Sequence, residues 1–374
     1  MSALRVAIVH EWFDTYAGSE RVVEQLLHLY PEADLFALVE LLPADARGFI
    51  GNRPVRTSPL QRLPGFLRRR FRGLLPLMPL MVEQFDLSGY DLVLSSSHAV
   101  AKGVLTGPDQ VHVCYCHSPM RYAWDLQHRY LAESQLGWGP RGLLARMSLH
   151  YLRGWDARSA LGPDRVVANS RYIARRIARV WGRASEVVHP PVAVADFPLW
   201  TSKDDFYLAA SRLVPYKRMP LVVEAFRELP GRRLVVVGDG PELGRIRALA
   251  EGCPWIEVKG WLPTADLRDL LQRARALVFP AEEDFGILPV EALACGTPVI
   301  AYGRGGALDS IQEGVGGLFF ATQDVAAIRE AVGRFEARTW DPSAVRATAL
   351  PFAPEIFRER MAAVVAAAFS EGRR

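Results

Sequence analysis

The feature that most constrains this chain is a recurrence: short β-branched apolar runs, most of them followed by a stretch with helical periodicity. Arg5 to Val9 precedes Glu20 to Leu29, Leu92 to Ser95 and Val111 to Tyr115 come next, and Arg165 to Ala168 precedes Arg171 to Trp181. Such alternation predicts a parallel sheet with helices on both faces. His189, Pro190 and Pro191 interrupt the series and read as a linker. A second series then runs through Phe206 to Ala210, Leu234 to Gly238, Trp255 to Val258, Ala276 to Phe279, Pro298 to Ala301 and Gly317 to Phe320. Two successive doubly wound α/β lobes are therefore expected, residues 1–190 and 191–351. The tail, 352–374, carries an amphipathic helix from Pro354 to Phe369, with Pro351 and Pro354 placed to turn it away from the second lobe.

Composition excludes several alternatives. The formal charge of +4 is too small to imply a nucleic-acid partner without a concentrated basic face. Cys114, Cys116, Cys253 and Cys295 make no disulfide framework for a chain of this size, which fits a reducing compartment such as the cytoplasm. The start reads as a short strand from Met1 to Val9 cut off by His10 and Glu11, not as a secretion signal. No apolar run approaches the roughly 20 residues of a spanning helix, so any membrane contact is expected to be peripheral.

The most informative segment, Ala276 to Gly296 (ALVFPAEEDFGILPVEALACG), reads as a strand, an acidic loop and a helix opened by Pro289. Such a loop lies at the carboxyl edge of the sheet, where open α/β folds bind ligands, and the helix start offers N–H groups to an anion such as a diphosphate. Glu283 in the loop and Glu291 in the first turn can flank one crevice and accept paired hydrogen bonds from vicinal hydroxyls. The alternative is that Glu291 compensates the helix dipole and Glu283 is solvated. ASRLVPYKR, Ala210 to Arg218, brings Arg212, Lys217 and Arg218 to the equivalent edge, either as a solvated loop or as fixed cations for a departing diphosphate.

VVVGDGP, Val235 to Pro241, places Gly238 in a tight strand-to-helix turn but lacks the third glycine of a dinucleotide fingerprint. In YAGSER, Tyr16 to Arg21, Gly18 permits close backbone approach and Ser19 is a candidate helix cap. His117, in CHSPMRYAW, ends a buried strand. His112, Cys114, Cys116 and His117 alternate along that strand, but their spacing is not that of a zinc site and no second ligand pair follows. The chain has no D-x-D to hold a divalent ion against a diphosphate, so metal-independent chemistry is expected. Gln61 to Met81 mixes Arg62, Arg68, Arg69, Arg70 and Arg72 with leucine, phenylalanine and proline, a composition suited to an anionic membrane surface, a basic acceptor-side loop or a solvated face.

Together these segments resemble the family-4 retaining glycosyltransferases of GT-B fold, in which two Rossmann-like domains face a central cleft. The resemblance covers most of the chain and rests on the E-x7-E spacing of Glu283 and Glu291 with Phe285 and Gly286 between them. It implies that Glu283 holds the donor sugar's hydroxyls, Glu291 the ribose, and Arg212 with Lys217 the diphosphate. It adds Gly18, Gly238, Phe285, Gly286, Ile287 and Leu288 to the donor-binding set, with Trp261 and Leu262 lining the base pocket and His117 near the transferred sugar. Ala17 and Asp309 depart from the family's usual glycine and glutamate. HSPMRYAWD and RLVPYKR are most similar to bacterial mannosyltransferases of O-antigen and exopolysaccharide assembly, which implies GDP-mannose as donor, no metal cofactor and a glycan or polyprenyl-linked glycan acceptor. The family's C-terminal helix crosses back to the first lobe. Rival readings are a UDP- or ADP-sugar donor, a sugar-nucleotide 2-epimerase, and a non-catalytic bilobal sugar-binding protein.

Overall fold

The structure is a computed structural model that describes residues 4–372; Met1 to Ala3 and residues 373–374, the outer ends of the expected first strand and last helix, lie outside the described residues. The chain forms two compact units, one running to Pro191 and including the stretch from Glu355 onward, the other Val192–Pro354.

In the first unit seven strands, β1 (Val6–Phe13), β2 (Asp34–Glu40), β3 (Val55–Thr57), β4 (Leu92–Ser97), β5 (Val111–Cys116), β6 (Arg165–Ala168) and β7 (Glu186–Val187), pair in the order β3-β2-β1-β4-β5-β6-β7, all parallel. In the second, β8 (Tyr207–Ala210), β9 (Leu234–Val237), β10 (Ile256–Gly260), β11 (Ala276–Phe279), β12 (Val299–Tyr302) and β13 (Gly317–Phe320) pair in the order β10-β9-β8-β11-β12-β13, again all parallel. Both are doubly wound Rossmann-like sheets. Strand order reverses beside β1 in one and beside β8 in the other, and such switch points open a crevice at the carboxyl ends of the strands.

The central strands are buried on both faces, so near-continuous apolar runs such as LVVV and ALVF suit them better than alternation. Two corrections concern β1 and its neighbours. The strand does not stop at His10 and Glu11 but continues through them to Phe13, because both polar side chains find buried partners. β2, whose sequence DLFALVE carries an acid at each end, β3 and β7 lie outside the sequence reading altogether.

The C-terminal helix Pro354–Gly372 packs Phe357, Met361, Val364 and Val365 into the first unit's core beside Val6, Ile8 and Tyr115. The Tyr115 and Phe357 rings meet edge-on at 5.6 Å, and Tyr115 Oη donates to the Val188 carbonyl at 2.9 Å.

Candidate active site

At the switch point of the second unit, the loop after β8 and the loop after β11 come together. Lys217 Nζ donates directly to Glu283 Oε1, an ion pair whose partners both remain partly exposed. Arg212 is exposed on the same loop, where its guanidinium reaches the Tyr216 hydroxyl at 3.2 Å. The chain then reverses at Arg218, a non-glycine residue at φ +55°, to enter the helix Met219–Arg227. Lys217 and Glu283, assigned from sequence to different parts of one ligand, are thus in direct contact with each other.

Gly286 caps the helix Ile287–Ala294 at φ +88°, a backbone region that disfavours L side chains. The helix therefore begins before Pro289, and Pro289 is its third residue. Glu291 correspondingly lies beyond the first turn and is almost wholly buried. Phe285 is buried against Phe352 at 5.5 Å, and Ile287 and Leu288 pack against the same core. The backbone N–H of Gly306 donates to the Glu283 carbonyl at 2.8 Å, tying the acidic loop to the loop after β12; Asp309 lies in the short helix Ala307–Ser310 that follows.

Gly238, at φ +140°, ends β9 so close to β8 that a Cβ atom there would stand 1.8 Å from the Ser211 carbonyl oxygen. Only glycine fits this approach. Its N–H donates to the Gly260 carbonyl at 2.8 Å, which holds the edge of the sheet that carries Trp261 and Leu262 just beyond β10. The Trp261 ring is exposed, while Leu262 packs on the core.

The first unit's switch point holds a different constellation. Glu11 is buried, and its Oε1 accepts from Ser97 Oγ at 3.0 Å and from the backbone N–H groups of His98, Ala99 and Ala101 at 2.9, 2.8 and 3.1 Å. Its Oε2 lies 3.1 Å from His98 Nδ1. Burial alone would raise the Glu11 pKa, but the histidines and backbone donors win and hold it well below the usual carboxylate range.

His10 stands between two acceptors, the Ser96 carbonyl at 3.1 Å from Nδ1 and Glu20 Oε1 at 3.3 Å from Nε2, so both ring nitrogens carry protons. Burial opposes that charge, yet the Glu20 contact and the Glu20 and Glu11 charges raise its pKa overall. Glu20 is held down at about 2, burial notwithstanding, by the His10 interaction. Glu20 Oε2 also accepts from Ser19 Oγ and the Ala17 N–H, each at 3.0 Å. The cap of the helix Gly18–Leu29 is thus Ala17 with Glu20 reaching back, not Ser19; Ser19 spends its hydroxyl on Glu20. Gly18 opens that helix.

His117 follows β5, and its Nε2 lies 2.8 Å from Ser96 Oγ. Burial, with the neighbouring His98 and His10 charges, pushes its pKa down to about 3, so it acts as a neutral imidazole. Cys114, Cys116 and His112 are buried in the sheet, with His112 Nε2 2.8 Å from Ser95 Oγ. Among the described residues no group of three or more His, Cys, Asp or Glu side chains is arranged to hold a metal ion.

His10, Glu11, Glu20 and His98 escaped the sequence reading. Their signal was present: adjacent charged residues inside an apolar strand, and a serine run ending in histidine after another.

A family model described as Glycosyltransferase Family 4 matches residues 16–196, and one described as Glycosyl transferases group 1 matches residues 196–347. The chain belongs to the family-4 glycosyltransferases. It is 30% identical over 235 residues, 52% of this chain and 61% of the relative, to a GDP-mannose-dependent alpha-(1-6)-phosphatidylinositol monomannoside mannosyltransferase of Mycolicibacterium smegmatis. The family member spans between 14% and 61% of the length of the first curated relatives it matches. Among solved structures, sucrose-phosphate synthase from Thermosynechococcus elongatus superposes with TM-score 0.71 at 18% identity, covering 99% of this chain and all of that one. HepE of Anabaena, in complex with UDP and glucose, gives 0.69 at 18% identity, covering 97% of this chain and all of that one. At this identity the likeness shows the shared GT-B fold.

Proposed function

We propose that this protein transfers a hexose, mannose from GDP-mannose, to a hydroxyl of a glycan or lipid-linked glycan in cell-surface polysaccharide assembly, with retention at the anomeric carbon and in the cytoplasm. The observation that carries the reading is the Lys217–Glu283 pair at the second unit's switch point, with Arg212 beside it and Glu291 on the helix that follows. The mannosyltransferase relative supports the choice of base and sugar.

In this mechanism the second unit takes the donor and the first the acceptor. Lys217 leaves Glu283 and, with Arg212, meets the charge that grows on the leaving diphosphate; such electrostatic stabilisation is commonly the largest catalytic term. No metal is required for that role. Glu283, released, accepts from hydroxyls of the hexose, and Glu291 from the ribose. Gly238, Trp261 and Leu262 border the base, while Phe285, Gly286, Ile287 and Leu288 form the backbone at the diphosphate. In the first unit, Gly18 and neutral His117 are the groups that the family resemblance assigns to the transferred sugar. The bond from the anomeric carbon to the diphosphate oxygen breaks, the acceptor oxygen bonds on the same face, and its proton passes to the departing phosphate, giving GDP and the glycoside.

Thermal-shift measurements across GDP, UDP and ADP sugars, followed by chromatography of the products, test this reading. A bound nucleotide raises the melting temperature, and more so the tighter it binds, with the logarithm of the ratio of ligand concentration to Kd. GDP-mannose is expected to give the largest shift and to release GDP. A UDP or ADP sugar in its place reassigns the donor; an epimerised nucleotide sugar formed without acceptor makes the protein an epimerase; a shift without turnover in the presence of membrane-derived lipid acceptors leaves only a binding protein.

A further inference from the structure

The first unit carries a surface that the donor chemistry does not use. Residues 46–82 contain eight arginines and no aspartate or glutamate, and residues 134–155 contain three arginines and again no carboxylate. The two stretches are neighbours in space. The helix Pro140–Ser159 packs Leu149, Leu152 and Trp155 into the same core as Phe71, Leu74, Leu75 and Met78, and Trp155 Nε1 donates to Glu83 Oε1 at 2.7 Å.

With that inner face fixed, the helix's outer face includes Leu143, Leu144, Met147 and Tyr151 beside Arg141, His150, Gly154 and Arg158, and 144, 147 and 151 follow helical spacing. Leu144 is 65% exposed and Met147 62% exposed. Just before the helix, Trp138 is 82% exposed, with the Arg146 guanidinium 4.2 Å from its ring centroid. The neighbouring segment adds Phe66, 67% exposed, and exposed Leu77 and Leu80. Gly65, Phe66, Arg69 and Arg70 line an open recess of about 500 Å³. Arg62, Arg69, Arg70 and Arg141 are exposed, and no carboxylate pairs with them among the described residues.

We propose that this face, the helix Pro140–Ser159 with the segment 61–81, is where the protein rests on an anionic lipid surface. A side chain such as leucine or tryptophan gains by entering the boundary between headgroups and acyl chains, and arginines beside it meet lipid phosphates; neither contribution alone accounts for a surface that combines both. The pattern argues against a second copy of this chain as occupant. A two-fold interface presents the same patch to itself, so a face whose one paired carboxylate, Asp14, is already taken by Arg72 would set arginine against arginine. A nucleic acid would meet the arginines but leave the leucines in water. Trp138 and Tyr151, amphipathic rings at the edge of an apolar stripe, suit the headgroup level.

Co-sedimentation of the full chain with large vesicles tests the assignment, which does not depend on the donor. Binding is expected to vesicles of phosphatidylcholine with phosphatidylglycerol and to be weak on phosphatidylcholine alone, and to fall as salt shortens the Debye length. Removing Arg69 and Arg70 together (Arg69→Ala, Arg70→Ala) is expected to lower partitioning at least tenfold, at roughly fivefold per basic residue. The pair Leu144→Ser and Met147→Ser is expected to lower it by a similar factor, with melting temperature and nucleotide-induced shift unchanged because both side chains are exposed. Absence of binding to anionic vesicles, equal binding to both compositions, or full binding by either double variant would overturn the proposal. So would a dimer in analytical ultracentrifugation that the helix variant abolishes.

Discussion

The two switch points are built on the same strand order and carry opposite electrostatic designs. In the first unit the ionised groups are sealed: Glu11 is 0% exposed, His10 1% and Glu20 3%. Each has protein partners on the sides where water would otherwise stand. In the second unit Lys217 and Glu283 keep side-chain exposures of 12% and 21%, and Arg212 is open. The difference teaches what each set of charges is for. A sealed network fixes the loops of one unit, holding the turn before Gly18 and presenting His98 and His117 in set orientations. A partly exposed ion pair can exchange its partner for a ligand at smaller structural cost than a sealed one.

The sharpest way to break this comparison is to remove one charge from each side. Glu11→Ala strips four donors and His98 of their partner and is expected to cost about 3–5 kcal/mol of stability, as uncompensated buried groups do, read by urea unfolding. Lys217→Ala removes one partner of a partly buried ion pair and is expected to cost less, about 1 kcal/mol. Its turnover should fall ~10²- to 10³-fold, comparable to losing one preorganised oxyanion donor. A destabilised Lys217→Ala with normal turnover, or a stable Glu11→Ala, would erase the distinction.

A smaller effect sharpens it within the second unit. Glu291→Gln keeps the shape of a nearly buried side chain but removes its charge, and free GDP is expected to bind about tenfold more weakly, in the range of a lost charge-assisted hydrogen bond. Unchanged affinity in calorimetry would remove Glu291 from the nucleotide site.

The smallest concerns pH. His117 stays neutral in the folded chain down to about 3, whereas the unfolded chain takes up that proton near its ordinary value of 6.5. Its contribution to stability is therefore present above about 6.5 and lost progressively as pH falls toward 3. Glu20, held at about 2 against an ordinary 4.5, adds a further loss over the more acidic window. His117→Asn is expected to flatten the upper part of this acid limb in pH-dependent urea titrations, with the Glu20 part retained.

Much of the fold was legible because apolar runs and prolines state their roles locally. The second unit's six strands all fall within or beside the runs read from sequence. What escaped was non-local. Nothing beside His10 and Glu11 in the chain shows that the serines of β4 and the backbone just after it wait 86 to 90 residues away to bury them, so the strand extends beyond the expected end. β2 was missed because its acids, Asp34 and Glu40, look like solvated ends until Arg56, Tyr90 and Gln61 contact the segment. The helix start was misplaced for the opposite reason. Pro289 is a strong local signal, but Gly286 at positive φ sets the turn. The pairing of Lys217 with Glu283 joins loops 66 residues apart and required the strand order that brings β8 beside β11.

The central claim, that the charged groups at the second unit's switch point hold a sugar nucleotide, is tested most directly by calorimetry of GDP and GDP-mannose with wild type and Glu283→Gln. If Glu283 holds the hexose, the substitution weakens GDP-mannose at least tenfold and leaves GDP affinity unchanged or improved, since Lys217 is freed for the diphosphate. Equal loss for both ligands, or no binding of either nucleotide by the wild-type chain, would contradict it.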